Sequence, residues 1–254
     1  VLQNGELLAE AHLAAWREFG HDMLLVENGV IAEASACGCE VEFYDDGPPR
    51  VSRHILEQKL ESVLALKIPD PETTFPMSEV IKAVRILSQE IGNHVFIMGR
   101  ADQGPGALAM ALRGYEKFLL DLAYMEQHDL LHATMKYCVQ VQIRYAMALK
   151  EAGAHGTAMG GLGVSLLSPK LYREWEQPYE KEVIERVSKP GYPMALHICG
   201  NTTAILERMV ETGAPIIEID HRSDLRIAKE ITRGKATILG PVNPELIWGA
   251  LQTS

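Results

Sequence analysis

Three observations predict an α/β fold built on a parallel sheet. Short apolar runs recur along the chain, glycines placed to end helices precede most of them, and the stretches between carry helical periodicity. The runs lie near 23–27, 94–99, 156–160, 193–199, 215–220 and 236–240. Continuous apolar runs of this length suit strands buried on both faces, which implies parallel pairing and right-handed helical crossovers. The 254 residues match the roughly 250 of a TIM-type (β/α)8 barrel. One repeating strand–helix grammar favours that barrel over a doubly wound sheet. No Gly-x-Gly-x-x-Gly opens the first strand-to-helix turn, which weighs against a dinucleotide fold.

The elements follow in order. Phe19-Gly20-His21-Asp22 leads into Met23-Leu24-Leu25-Val26, and Ile91-Gly92-Asn93 into His94-Val95-Phe96-Ile97-Met98. Lys150-Glu151-Ala152-Gly153-Ala154 precedes the third run, and Val210-Glu211-Thr212-Gly213-Ala214 the fifth. Each glycine stands where a helix end needs a left-handed residue. Pro193–Ile198 and Ala236–Leu239 supply the fourth and sixth runs. A long helix is predicted over 129–152, and a shorter one over 202–211 with Asn201 or Thr202 as its cap. Six strands are two short of eight. The chain lacks an initiator Met and stops just after an apparent helix start, so both ends read as cut.

Composition narrows the function classes. There are 34 acidic against 24 basic residues, a net charge of -10, the wrong sign for a nucleic-acid binder. An anionic small molecule is not excluded, because it meets only a local pocket. No window reaches the roughly 18 apolar residues of a membrane span, and no basic-then-apolar signal peptide opens the chain. Four cysteines in this length make no disulfide framework, which favours a cytoplasmic setting.

Barrel chemistry sits at the C-terminal ends of the strands. Those positions hold Glu27 and Asn28, then Arg100, Asp102 and Gln103, then Gly160-Gly161-Leu162-Gly163. They continue with His197, Cys199 and Asn201, then Asp220, His221 and Asp224, and finally Asn243. Each Asn or Asp is equally readable as a helix cap.

The sharpest stretch is Leu196-His197-Ile198-Cys199-Gly200. Residues i and i+2 of a strand share a side, so the imidazole and thiol face one way and Leu196 and Ile198 the other. Two borderline-soft donors at that spacing suit a zinc ion. The alternative is a buried histidine beside a small apolar cysteine. Cys37-Gly38-Cys39 reads as a tight turn before a metal clip, and Cys138 as helix packing. His54, His94, His128 and His132 have no partner spacing, and the ten methionines are core filler.

Taken together, these segments resemble the uroporphyrinogen decarboxylase superfamily, particularly its corrinoid-dependent methyltransferase branch. The resemblance is carried by Phe19-Gly20-His21-Asp22, Glu33-Ala34 to Glu40-Val41, Gly99–Pro105, Leu112-Arg113-Gly114 and Ser168–Glu174 with Gln177-Pro178-Tyr179. His197-Ile198-Cys199-Gly200-Asn201-Thr202, Glu211–Ala214 and Gly240–Pro244 complete it, collinear over the whole chain. It implies one barrel domain over 1–254 that lacks the first and last strands. His-x-Cys-Gly looks like the zinc motif of methylcobamide:thiol methyltransferases, making His197 and Cys199 two ligands, with a further cysteine after the last strand, beyond Ser254. The substrate is then a methylcobamide on a partner corrinoid protein, and the acceptor a small thiol such as coenzyme M. Glu27, Arg100, Asp102, Gln103, Asn201, Asp220 and Asn243 are the candidate substrate-binding residues, with Asp220 or Asn243 available to orient the zinc shell.

Two rivals come from the same superfamily. One is metal-free uroporphyrinogen decarboxylation in porphyrin biosynthesis, with Asp102 or an Asp upstream of Val1 stabilising the protonated pyrrole. The other is a barrel that binds a corrinoid or tetrapyrrole without turnover. Many relatives carry Asp-Pro after the fourth barrel strand, where this chain has Gly160-Gly161-Leu162.

Overall fold

The computed structural model describes residues 1–29, 31–44, 47–124 and 127–246. Its strands are β1 (Met23–Val26), β2 (Glu40–Glu42), β3 (Arg50–Arg53), β4 (Phe96–Gln103), β5 (Gly156–Gly160), β6 (Met194–Ile198), β7 (Ile216–Ile219) and β8 (Thr237–Leu239). Six of them pair in parallel in the order β1-β4-β5-β6-β7-β8, and β2 and β3 form a separate antiparallel hairpin. The helices are α1 (Gly5–Phe19), α2 (Ala32–Ala36), α3 (Met77–Ile91), α4 (Pro105–Arg113), α5 (Tyr115–Tyr124), α6 (His128–Glu151), α7 (Pro169–Trp175), α8 (Gln177–Val187), α9 (Leu206–Glu211) and α10 (Leu225–Thr232). The sheet curls like six consecutive strands of a TIM barrel, with β1 and β8 at its edges among the described residues. All six predicted strands are present.

Local chemistry explains most boundaries. Asn4 accepts from the Leu7 N–H to start α1, and Asp224 accepts from the Arg226 and Ile227 N–H groups to start α10. Gly153 and Gly213 take the left-handed conformation expected of them. Gly92 does not: it stays right-handed with φ -59°, and α3 closes through its N–H to the Ser88 carbonyl. The helix expected from 202 begins only at Leu206, with no side-chain cap. Thr202 is drawn away from the helix because its N–H and hydroxyl both bond the Ser223 hydroxyl, at 3.0 and 2.9 Å.

Strand alternation divides the sheet into two faces. Leu24, Val26, Ile97, Met159, Leu196, Ile198, Ile217 and Ile219 point outward into the main core, shared with Val80, Val84 and Leu87 of α3 and Val141 and Leu149 of α6. Burial of each large side chain there is worth about 1.5–3 kcal/mol. Met98, Ala158 and Ala195 point inward, with Met23, Leu25, Phe96 and Ile216 packed against them. One step further along each strand, the inward positions become Glu27, Arg100, His197 and Glu218. The barrel floor is apolar and its mouth is charged. Among the described residues, no helix is long and apolar enough to cross a membrane.

Candidate active site

His197 and Cys199 stand where the alternation puts them, on the inner side at the end of β6. The imidazole Nε2 lies 3.0 Å from the Cys199 Sγ. The other imidazole nitrogen, Nδ1, is buried without a hydrogen-bond partner, 3.5 Å from Glu218 Oε1. Register accounts for that neighbour, since His197 pairs with Gly160 on one side and with Glu218 on the other. Burial pushes the Cys199 thiol up, against the pull of Arg100.

Arg100 is the hub of the charged ring. Its Nε lies 3.2 Å from Glu27 and hydrogen-bonds Asp102, and its Nη1 is 3.7 Å from Glu218. Gly160 leaves room beside the guanidinium: a Cβ there would sit 3.0 Å from Arg100 Nη2 and 2.9 Å from the Asp102 carbonyl oxygen.

β4 runs on through Gln103, further than the sequence predicts, and its register with β5 shifts between Arg100 and Gln103. Such a bulge re-aims side chains, and consecutive Asp102 and Gln103 both line one cavity. Arg100, Ala107, Gly160, Gly161, Leu162, His197 and Cys199 complete its wall, and its volume is about 50 Å³. A larger groove of about 750 Å³, bounded by Val210, Glu211, Ile231 and Lys235, lies among exposed helix ends and carries none of these groups.

Several predicted residues have other duties. Asn201 Oδ1 accepts from the Thr203 N–H at 3.1 Å and Asn243 Oδ1 from the Glu245 N–H at 2.9 Å. Both make local turns, and neither lines the cavity. Asn28 Nδ2 donates to the Pro76 carbonyl. Asp220 ties the end of β6 to its own loop, accepting from the Gly200 and Arg222 N–H groups at 2.9 Å each, with His221 Nδ1 at 3.0 Å. Burial alone would raise its carboxyl, but those two N–H groups together with the nearby His221 and Arg222 outweigh burial and hold it low. Replacing Asn201 or Asn243 by Ala is therefore expected to cost about 1 kcal/mol or less in a urea melt with turnover unchanged. A turnover loss with normal stability would return either residue to the site.

Two residues of consequence are not among the site residues that the sequence predicts. Glu218 sits inside an apolar run and reads as part of a buried strand, yet it flanks His197. Glu33, on α2, is fully buried and accepts from the Gln103 N–H at 3.0 Å. Burial, then the Asp102 charge, push its carboxyl up to about 8. The turn reading of Cys37-Gly38-Cys39 fits: both cysteines are buried, with Tyr137 Oη donating to Cys37 Sγ at 3.3 Å.

Among the described residues, no three or more His, Cys, Asp and Glu side chains close around one point. The donor chemistry nonetheless fits zinc. An imidazole nitrogen and a thiol meet at the cavity wall, and a carboxylate near the opposite imidazole nitrogen is the usual arrangement for orienting a histidine ligand.

A family model described as uroporphyrinogen decarboxylase (URO-D) matches residues 1–253. The methylcobamide:CoM methyltransferase MtbA of Methanosarcina mazei is 29% identical over 249 residues, covering 96% of this chain and 71% of that protein. The uroporphyrinogen decarboxylase of Crocosphaera subtropica is 24% identical over 257 residues, covering 98% and 70%. A solved methyltransferase structure from Methanosarcina mazei superposes with a TM-score of 0.86 at 25% identity, over 94% of this chain and 70% of that one.

Proposed function

The chain belongs to the uroporphyrinogen decarboxylase family, and we propose that it transfers a methyl group from a methylated corrinoid, carried by a partner protein, to a small thiol. The observation that carries this reading is the pair His197 Nε2 and Cys199 Sγ, 3.0 Å apart on the cavity wall. Both residues would hold a zinc ion. Bound there, zinc would keep the acceptor sulfur as thiolate near neutral pH, where a free thiol of pKa about 8.5 is mostly protonated.

This chain's own residues do the rest. Glu218 faces His197 Nδ1 and favours the tautomer with the proton on that nitrogen, leaving Nε2 free beside Cys199. Arg100 holds Glu27, Asp102 and Glu218 together and offsets part of their mutual repulsion. Ala107 and Leu162 give the cavity an apolar side that limits water. The thiol proton leaves to solvent, and the sulfur attacks the methyl carbon in line. An S–CH3 bond forms, the Co–CH3 bond breaks, and its electron pair stays on cobalt, which passes from Co(III) to Co(I).

The test is metal analysis combined with thiol methylation by methylcobalamin. About one zinc per chain is expected, lost in the double variant His197→Ala, Cys199→Ala. Methylation should fall by more than about 100-fold, beyond the 10–100-fold typical of losing a supporting partner. Uroporphyrinogen decarboxylation that persists unchanged in that variant would establish the decarboxylase reading instead. Absence of turnover with either substrate class would leave a barrel that only binds.

A further inference from the structure

Among the described residues, the cavity beside His197 and Cys199 is short of positive charge. Arg100 is the one arginine or lysine among the described residues that line it, and that guanidinium is already committed to three carboxylates, Glu27, Asp102 and Glu218. Counted at full ionisation, these four side chains have a surplus of two negative charges, and a zinc ion bound with the Cys199 thiolate would still leave a surplus of one. Four backbone N–H groups at the strand ends, the usual means of holding an oxyanion, are spent as well. The Gly161 N–H bonds the His197 carbonyl and the Gly104 N–H the Gly160 carbonyl, each at 2.7 Å. The Gly200 N–H goes to Asp220 and the Gln103 N–H to Glu33. Arg222 and His221 stand on the loop after β7 and do not line the cavity.

What the cavity does offer is acceptors. Asp102 is 4% exposed and lines the wall, and its Oδ2 has no hydrogen-bond partner. Gln103 Oε1, on the same wall, has none either. A buried acceptor left unpaired costs about 1–3 kcal/mol, more for a charged group. A ligand that brings a donor recovers that cost, and one that brings an anion adds repulsion.

We propose that the small molecule methylated here carries, besides its thiol, a hydrogen-bond-donating cationic head group such as an ammonium, which Asp102 receives, and not a sulfonate or other anion. The inference rests on the thiol-methylation reading above. It departs from the acceptor named for the methylcobamide:CoM relatives.

Three two-carbon thiols that differ only in head group provide the test: cysteamine, 2-mercaptoethanol and 2-mercaptoethanesulfonate. With methylcobalamin and zinc-loaded protein, kcat/KM should fall in that order, by at least about tenfold from the first to the last. Asp102→Asn should remove most of the preference for cysteamine over 2-mercaptoethanol. Calorimetry with the thioether products, which need no activation of sulfur, gives a second readout: S-methylcysteamine should bind at least about tenfold more tightly than 2-(methylthio)ethanesulfonate. Methylation with the sulfonate thiol equal or preferred overturns the head-group inference and leaves the methyltransferase reading standing. Preferential binding of S-methylcysteamine with no thiol methylated does the reverse. Equal binding of the two thioethers overturns the inference whatever the turnover.

Discussion

Arg100→Met is expected to cost about 3–5 kcal/mol of stability at neutral pH, the usual price of removing one partner from a buried charge cluster. The side chain is 10% exposed and holds three carboxylates, and deleting it leaves them facing one another in low dielectric. A urea melt at pH 7 against wild type measures the loss. The deficit should shrink toward pH 5, as protonation of Glu27, whose carboxyl burial already pushes up, relieves the repulsion. Arg53→Met provides the contrast. Its pair with Glu40 is about 70% and 59% exposed, and such pairs are worth about 0–1 kcal/mol. A midpoint for Arg100→Met as high as that for Arg53→Met would show that the ring is not held by its arginine.

Stability should also fall as pH rises from about 5 to 9. Glu33 and Glu180 are both buried, with folded carboxyls pushed by burial up to about 8 and about 7. Glu176, fully buried beside Glu180, is raised further in the same direction. Unfolded, all three ionise near the ordinary carboxylate value. The folded chain therefore binds more protons than the unfolded chain between those limits. The stabilisation is complete below the unfolded value and is lost as pH rises through the folded ones. The expected loss is on the order of a few kcal/mol, since one unit corresponds to about 1.36 kcal/mol. Glu33→Gln keeps an acceptor for the Gln103 N–H and removes one titration, so unfolding free energy measured from pH 6 to 9 should decline less steeply. An unchanged slope would mean that Glu33 is ionised in the folded chain.

The strands are legible in the sequence because outward-facing residues must be apolar to meet the helices, while inward ones are small or apolar over most of each strand. That leaves continuous runs bounded by glycine. The pair His197 and Cys199 is legible for a related reason, since i and i+2 fix a shared side without knowledge of any neighbour. Glu218 is not legible, because its meaning comes from lying beside His197 on another strand, some twenty positions away in sequence. Glu33 is hidden for the same reason: its burial and its bond to the Gln103 N–H are both long-range. Asn201 and Asn243 keep open both readings that the sequence allows. Position at a strand end suggests a site, whereas the side chain satisfies a backbone N–H two residues on, as short amides do in turns.

The bulge in β4 has a consequence for how such a site can change over generations. Nearly every reactive group on the sheet has the same parity along its strand, so a substitution alters one group in place. Gain or loss of a single residue within β6 would exchange His197 and Cys199 for Leu196 and Ile198 and put the reactive pair into the helical core. Among the described strands of this sheet, it is between Arg100 and Gln103, where the count is already irregular, that an odd residue is absorbed with both neighbours kept at the cavity. Lineages of this barrel should therefore diversify their mouths by exchanging side chains and by varying loop length, with insertions or deletions inside strands tolerated at that one place.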